Sequence, residues 1–352
     1  MARKNKVTLQ FLANKLSLSS HTVSKALRGL PGMSEETRLA ILQEAERHGY
    51  RTRDQLWQQI WEGRDRASSK SRRFMFVTGL NAVQNSLKIR ILEESVRERL
   101  EQMGNRLETV EFPTRSVLTK ELAERMLEQK ELAYVDGLFL SFGLPEVWEQ
   151  SILRLPVAKM FLNFPPVGAE TDSVVWDVYD AVQQSLLLLA SRKHRRILYI
   201  GDRTTHRGYR LRWMAFQEFA GQYDLELRPD EHMTACYDSN EAFFHAFREK
   251  WTALRPTAFL CGIESDLERL LESCRKLGIR IPQDCSLVCL DTTENERVQD
   301  IANPGILVRE TGHRAADRML WRIANANMPY EHIRIHGKFC SGTTVHYANG
   351  TD

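Results

Sequence analysis

The sequence predicts a small all-α head built as a helix-turn-helix, joined by a basic linker to a larger α/β body of parallel sheets covered by helices on both faces. Three observations carry this. The first 50 residues hold three short amphipathic segments, each with start and stop signals, and from Phe74 onward short apolar runs alternate with longer helical stretches. The charge is also divided: residues 1–73 carry 15 Lys+Arg against 7 Asp+Glu, and the rest carry 34 against 39, so a basic head that suits a polyanion precedes a mildly acidic body.

In the head, Leu9, Leu12, Ala13 and Leu16 recur at helical spacing, with Thr8 placed to cap them. After a turn through Ser17 and Leu18, Ser19 is a natural N-cap for a second helix. Val23, Ala26 and Leu27 point to one side of it, and His21, Lys25 and Arg28 to the other. Pro31 and Gly32 make a turn, Ser34 caps a third helix, and Glu35 and Glu36 sit where the helix dipole favours negative charge. Leu39, Ile41, Leu42 and Ala45 are expected to supply its apolar side, and Gly49 its end.

In the body the expected strands are Phe74–Val77, Leu107–Glu111, Gly137–Ser141, Ala158–Asn163, Ile197–Gly201, Thr257–Cys261, Ser286–Leu290 and Ile306–Arg309. Helices are expected over Ile89–Met103, Thr119–Gln129, Tyr179–Ser191, Leu211–Tyr223, Asn240–Leu254 and Asp266–Leu277.

The stretch Val7 to Tyr50 resembles the N-terminal DNA-binding domain of the lac repressor (LacI/GalR) family of bacterial transcription regulators. It has the V-T-L start, the S-x-x-T-V-S-x-x-L recognition helix, the M-S-E-E-T-R third helix and the H-G-Y ending. The resemblance implies that Ser20, His21 and Lys25 read base edges in the major groove. It places Thr8, Ser19, Thr22, Ser24 and Arg28 on the DNA phosphates. The residue types suit these roles: His and Lys can donate to guanine N7 and O6, and short hydroxyls suit the backbone. One departure is Ser17, where the family has a turn glycine.

The second departure is larger. After the G-Y pair the family continues roughly P-N-x-x-A-R-x-L, a hinge helix whose leucine wedges into the minor groove. Here the chain reads RTRDQLWQQIW, and none of that signature survives. Leu56, Trp57, Ile60 and Trp61 still make an apolar stripe. Leu56 or Ile60 can replace the wedge, or the stripe is a dimer seam or packs on the body, which tryptophans favour. The residues Gly63 to Arg73 read as a flexible basic tether.

The resemblance extends over most of the body, through YVDGLFLS, LPVAKMFLN, the DSVVWDVYD to ILYIGD stretch, RLRWMAFQEFA and the RPTAFLCGIESD to SLVCLDTTE stretch. It is weaker at residues 79–90 and 309–314. It implies a periplasmic-binding-protein-like body of two lobes, crossed three times by the chain, with a small ligand in the cleft. Arg212 falls on the family's ligand-anchoring arginine, a fork suited to paired hydroxyls or anions. Asp180 and Asp291 fall on acidic positions that accept hydroxyl hydrogen bonds in sugar-binding relatives. The family's N-D pair is replaced by Ile263 and Glu264, and isoleucine neither donates nor accepts. Trp176, near a crossover, either stacks on a sugar face or packs between the lobes.

The expected organisation is therefore a helix-turn-helix domain over 1–50, a hinge over 51–73 and a two-lobed effector-binding and dimerising domain over 74–352. The expected function is a DNA-binding regulator, a repressor by its resemblance, that reads a near-palindromic double-stranded operator as a homodimer. A small molecule, a sugar or sugar derivative, sets its affinity. The alternative is a DNA- or ligand-binding protein whose vestigial sensor no longer answers a sugar. No G-x-S-x-G, HExxH or phosphate-cradling glycine loop points to an enzyme or a cofactor. The six cysteines form no CxxC pair, and His232 with Cys236, or Cys285 with Cys289, lacks the partners of a four-ligand zinc site. With no apolar run of spanning length and no apolar leader, the expected compartment is the cytoplasm. No leucine heptad follows Val345, so a tetramerising tail is not expected.

Overall fold

The computed structural model describes residues 9–27, 33–48, 71–114, 120–292 and 300–348. They fall into two compact units, one up to Ser71 and one from Arg72. The expected hinge residues Leu56 and Ile60 lie outside the described residues, as do Thr8 and Arg28.

The first unit is a three-helix head of α1 (Leu9–Leu16), α2 (Ser20–Leu27) and α3 (Glu35–Arg47). Leu12, Ala13, Val23, Ala26, Ile41 and Ala45 form its core, and the small Ala13 lets the helices approach closely. The Ser19 hydroxyl accepts the backbone N–H of Thr22 at 3.0 Å and that of Ser34 accepts Thr37 N–H at 3.2 Å, so the caps expected for α2 and α3 are made. Lys15 of α1 binds Glu44 of α3 at 2.9 Å, which fixes the outer helices to each other. Two expected core residues are not in the core: Leu39 and Leu42 are exposed at 54% and 37%. The helix has a narrower buried stripe than a count of apolar residues suggests. Ser17 adopts φ 54°, the left-handed conformation that glycine adopts without strain.

The second unit has two lobes. In the first, β1 (Arg73–Gly79) is followed by the short α4 (Ala82–Asn85), α5 (Leu87–Gln102), β2 (Arg106–Phe112) and α6 (Lys120–Gln129). β3 (Gly137–Leu140), α7 (Glu146–Leu153), β4 (Ala158–Phe161) and β5 (Asp172–Trp176) complete the first run. The second lobe contains α8 (Val178–Ser191), β6 (Ile197–Ile200), α9 (Arg207–Gln222), α10 (Asn240–Leu254), β7 (Ala258–Cys261), α11 (Glu264–Leu277) and β8 (Ser286–Cys289). The chain then returns to the first lobe for α12 (Val308–Ala324) and β9 (His332–Ile335).

Both sheets are parallel. The first has the order β2-β1-β3-β4-β5-β9, with Val77 of β1 opposite Val110 on one side and Leu140 on the other; the second has the order β6-β7-β8. Every residue of β6, β7 and β8 is buried, as covered parallel strands require. Alternation divides the contacts: Ile197 and Tyr199 meet Trp213 and Phe216 of α9, and Leu198 and Ile200 meet the cluster of Phe243, Phe247 and Leu270.

Three differences from the sequence reading stand out. Ile306–Arg309 is not a strand; it leads into α12, whose buried Val308, Thr311, Ala315, Met319 and Arg322 recur at helical spacing. β5 and β9 are strands that the pattern of apolar runs does not mark. β9, with alternating exposure at the sheet edge, pairs in parallel with β5 from Ser173 opposite His332 to Trp176 opposite Ile335. The helix α7 also goes unmarked, although Trp148 and Ile152 bury its inner face.

Two devices position α12. Gly312 lies so close to α5 that a Cβ there would stand 1.9 Å from Ser95 Oγ. The buried carboxylate of Asp172 on β5 takes Arg318 at 2.8 Å and Arg322 at 2.5 Å, and also accepts Glu331 N–H at 2.8 Å. After β9 the chain crosses to the second lobe again. Asn303 pairs with Cys340, Thr344 Oγ1 donates to Leu287 O at 2.7 Å, and His346 N–H donates to Ser286 Oγ at 3.0 Å. No helix of the described residues is long and apolar enough to cross a membrane.

Candidate functional site

In the head, α2 presents Ser20, His21, Thr22, Ser24 and Lys25 on the surface away from Val23 and Ala26. His21 is exposed, while Lys25 and Ser20 are half-buried. Ser20 Oγ donates to Gln10 Oε1 on α1 at 2.7 Å, which holds that hydroxyl against the first helix. Ser19 and Thr22 share a hydroxyl–hydroxyl hydrogen bond of 2.8 Å at the N-terminus of α2, the end whose N–H groups suit an anion. The head thus holds a capped helix with a donor-rich outer face. Such a helix can enter a major groove and place imidazole and ammonium donors against base edges.

In the body, a second site lies where the carboxyl ends of the parallel strands of both lobes meet, the usual ligand position in open α/β sheets. A cavity of about 40 Å³, room for a few water molecules, is lined by Phe142, Phe164 and Trp176 from the first lobe and by His206, Tyr209, Arg212 and Asp291 from the second. Lys88 and Asn163 also reach it. Phe142 and Trp176 meet edge to face, 6.0 Å apart.

The polar end of the cavity is built on Arg212, at 3% exposure. Its guanidinium donates to the Gly262 carbonyl, approaches Asp291 Oδ2 at 3.3 Å and lies 5.2 Å from the Tyr209 ring centre. Burial pushes the Asp291 carboxyl up, but Arg212 and Lys88 outweigh burial and hold it at about 2. Arg212 is held above its ordinary range by Asp291 in spite of burial. His206 is pushed down by burial, so its imidazole is neutral at ordinary pH.

Of the effector residues expected from the sequence, the structure brings Arg212, Asp291 and Trp176 to this cavity. It does not bring Asp180 or Ile263 there. Asp180 sits in the first turn of α8, bound to Gln184 and to His336 Nδ1 at 2.8 Å. Ile263 is buried just before α11, and its carbonyl accepts the Cys261 thiol at 3.2 Å. Lys88, Phe142, Asn163, Phe164, His206 and Tyr209 also line the cavity, and no motif in the sequence marks them. Asn163 and Phe164 lie two and three residues past the end of β4, and the rule that ligands bind beyond strand carboxyl ends would have found them. Lys88 carries no such signal, because it sits in the first turn of α5 and not at the end of a strand.

Residues 187–345 match the "Periplasmic binding protein-like domain" family. The chain is 20% identical over 232 residues to the HTH-type transcriptional repressor PurR of Vibrio vulnificus, covering 64% of this chain and 68% of that one. It is 27% identical over 184 residues to PurR of Salmonella arizonae, covering 50% of this chain and spanning about half, 52%, of that relative. Among solved structures, a transcriptional regulator CelR–cellobiose complex superposes with a TM-score of 0.66 at 18% identity, over 97% of this chain and 100% of the other. The lac repressor dimer bound to operator and the anti-inducer ONPF does so with a TM-score of 0.66 at 17% identity and the same coverage. Residues 187–345 thus carry a periplasmic-binding-protein-like domain, and the whole chain has the fold of the CelR and lac repressor structures and is similar in sequence to PurR repressors.

Proposed function

We propose that this protein is a repressor that binds operator DNA through α2 and changes its affinity when a small molecule enters the cavity around Arg212. The carrying observation is the recognition helix itself. It is capped at Ser19, packed through Val23 and Ala26, and leaves His21 on its exposed face. Ser20, His21 and Lys25 are assigned to base edges, and Ser19, Thr22 and Ser24, with Thr8 and Arg28 outside the described residues, to phosphates. Paired heads of a homodimer would read a near-palindromic site in the cytoplasm.

The cavity favours a cyclic ligand with an apolar face and adjacent hydrogen-bonding groups, which a sugar or sugar derivative provides. The aromatic wall suits the ring face, and Arg212 with Asp291 suits paired hydroxyls. Operator sequences selected from a random DNA pool provide the test. Alanine at His21 or Lys25 is expected to lower preference for the selected site by about 1–3 kcal/mol while leaving binding to unrelated DNA nearly intact. A uniform loss on all DNA would instead move both residues to the phosphates. For the cavity, Arg212→Ala is expected to retain DNA binding and lose the response to any metabolite that shifts the wild-type protein. A retained response removes Arg212 from the effector site.

A further inference from the structure

The charges at the polar end of the cavity are neutralised by the chain itself. Lys88 stands in the first turn of α5, the end of a helix where a cation meets an unfavourable dipole, and that turn holds no acidic residue to offset it. Its side chain is nevertheless only 9% exposed, and its ammonium lies 2.6 Å from Asp291 and 3.2 Å from Glu264. Both carboxylates belong to the second lobe, whereas α5 belongs to the first. Asp291 already faces Arg212, so the lysine supplies the second cation to the carboxylate expected to meet a ligand. A pair of opposite sense also crosses the cleft. Arg207 of α9 reaches both oxygens of Glu149 on α7 at 2.8 Å, and donates to the Phe164 carbonyl at 2.6 Å.

The geometry points to Lys88 as a built-in counter-ligand. Its ammonium takes the place at Asp291 and Glu264 that a ligand's donors would take, so the two lobes close without a small molecule, and an effector must displace it. The small cavity fits this arrangement, since its remaining space falls far short of the several hundred Å³ of a ligand site. Burial makes the contact consequential. An exposed pair of this kind would contribute little, but removing one partner of a buried pair leaves an uncompensated charge.

This inference rests on the reading of the cavity as the effector site, and its test is made without any effector. Full-length protein, shown free of small molecules by native mass spectrometry, is compared by small-angle scattering and amide hydrogen exchange as wild type, Lys88→Met, Lys88→Arg and Glu264→Gln. Lys88→Met is expected to enlarge the radius of gyration and to speed exchange of amides facing the cleft about tenfold. Lys88→Arg should restore the wild-type values, and Glu264→Gln should fall between. Scattering and exchange of Lys88→Met that match the wild type would overturn the proposal. Should Lys88→Met fail to fold, Glu264→Gln decides: faster exchange at the cleft supports the latch and unchanged exchange removes it. Because Arg212→Ala reads ligand response and these variants read closure, the latch and the effector reading can fail separately.

Discussion

At the scale of single residues, the backbone at Ser17 and the carboxylate of Asp266 each store unfavourable free energy. Ser17 holds a left-handed conformation in the turn between α1 and α2, with Leu18 N–H bonded to Ala13 O at 3.0 Å. Ser17→Gly should therefore stabilise the head by about 1 kcal/mol. A thermal melt followed in the head should show a higher midpoint with DNA affinity unchanged. Burial pushes Asp266 to about 6, with Arg269 pulling it down less and Asp202 adding to the rise. Between the unfolded value near 3.8 and this folded value, the folded protein keeps a proton that the unfolded chain has lost. Stability therefore falls as pH rises through that window and levels off above it. Asp266→Asn should accordingly stabilise the body at pH 7, by at most about 3 kcal/mol, and give no gain at pH 3. Denaturant midpoints at the two pH values measure the difference.

At the scale of elements, the sequence exposes what is periodic and hides what depends on partners. The caps at Ser19 and Ser34 and the buried strands β6 to β8 are local facts, so they can be read directly. The strand β9 is alternating and partly exposed, and its identity comes from β5, more than 150 residues earlier. The entry to α12 misleads for a similar reason. Ile306, Leu307 and Val308 resemble a strand, but the chain there must turn into a helix that packs on α5. Gly312 permits that packing. Gly312→Ala should cost about 1–3 kcal/mol through overpacking against Ser95, and Ser95→Gly in the same chain should recover part of the loss. Equal destabilisation of single and double variants would show that the contact is not the cause. The cavity was half readable for the same reason: Arg212 and Asp291 sit at positions that a family pattern marks, and Lys88 enters only through the packing of one lobe on the other.

At the scale of the whole molecule, the body is not two beads joined by a string. Neither lobe is a continuous stretch of sequence, since α12 and β9 complete the first lobe after β8 and the last residues return to the second. Thr344 and His346 are hydrogen-bonded to β8, and Ala348 N–H reaches Arg192 O at 2.9 Å. Removing residues 339–352 should therefore unfold the second lobe while sparing the head, which circular dichroism and DNA binding would separate. The three crossings act mechanically like a door hung on three pins rather than one. A single tether would let one lobe spin as well as tilt, and much of the work done by a bound molecule would be lost to rotation. Three side-by-side connections leave bending as the easy motion, so a displacement of a few atoms in the cleft is converted into one direction of swing.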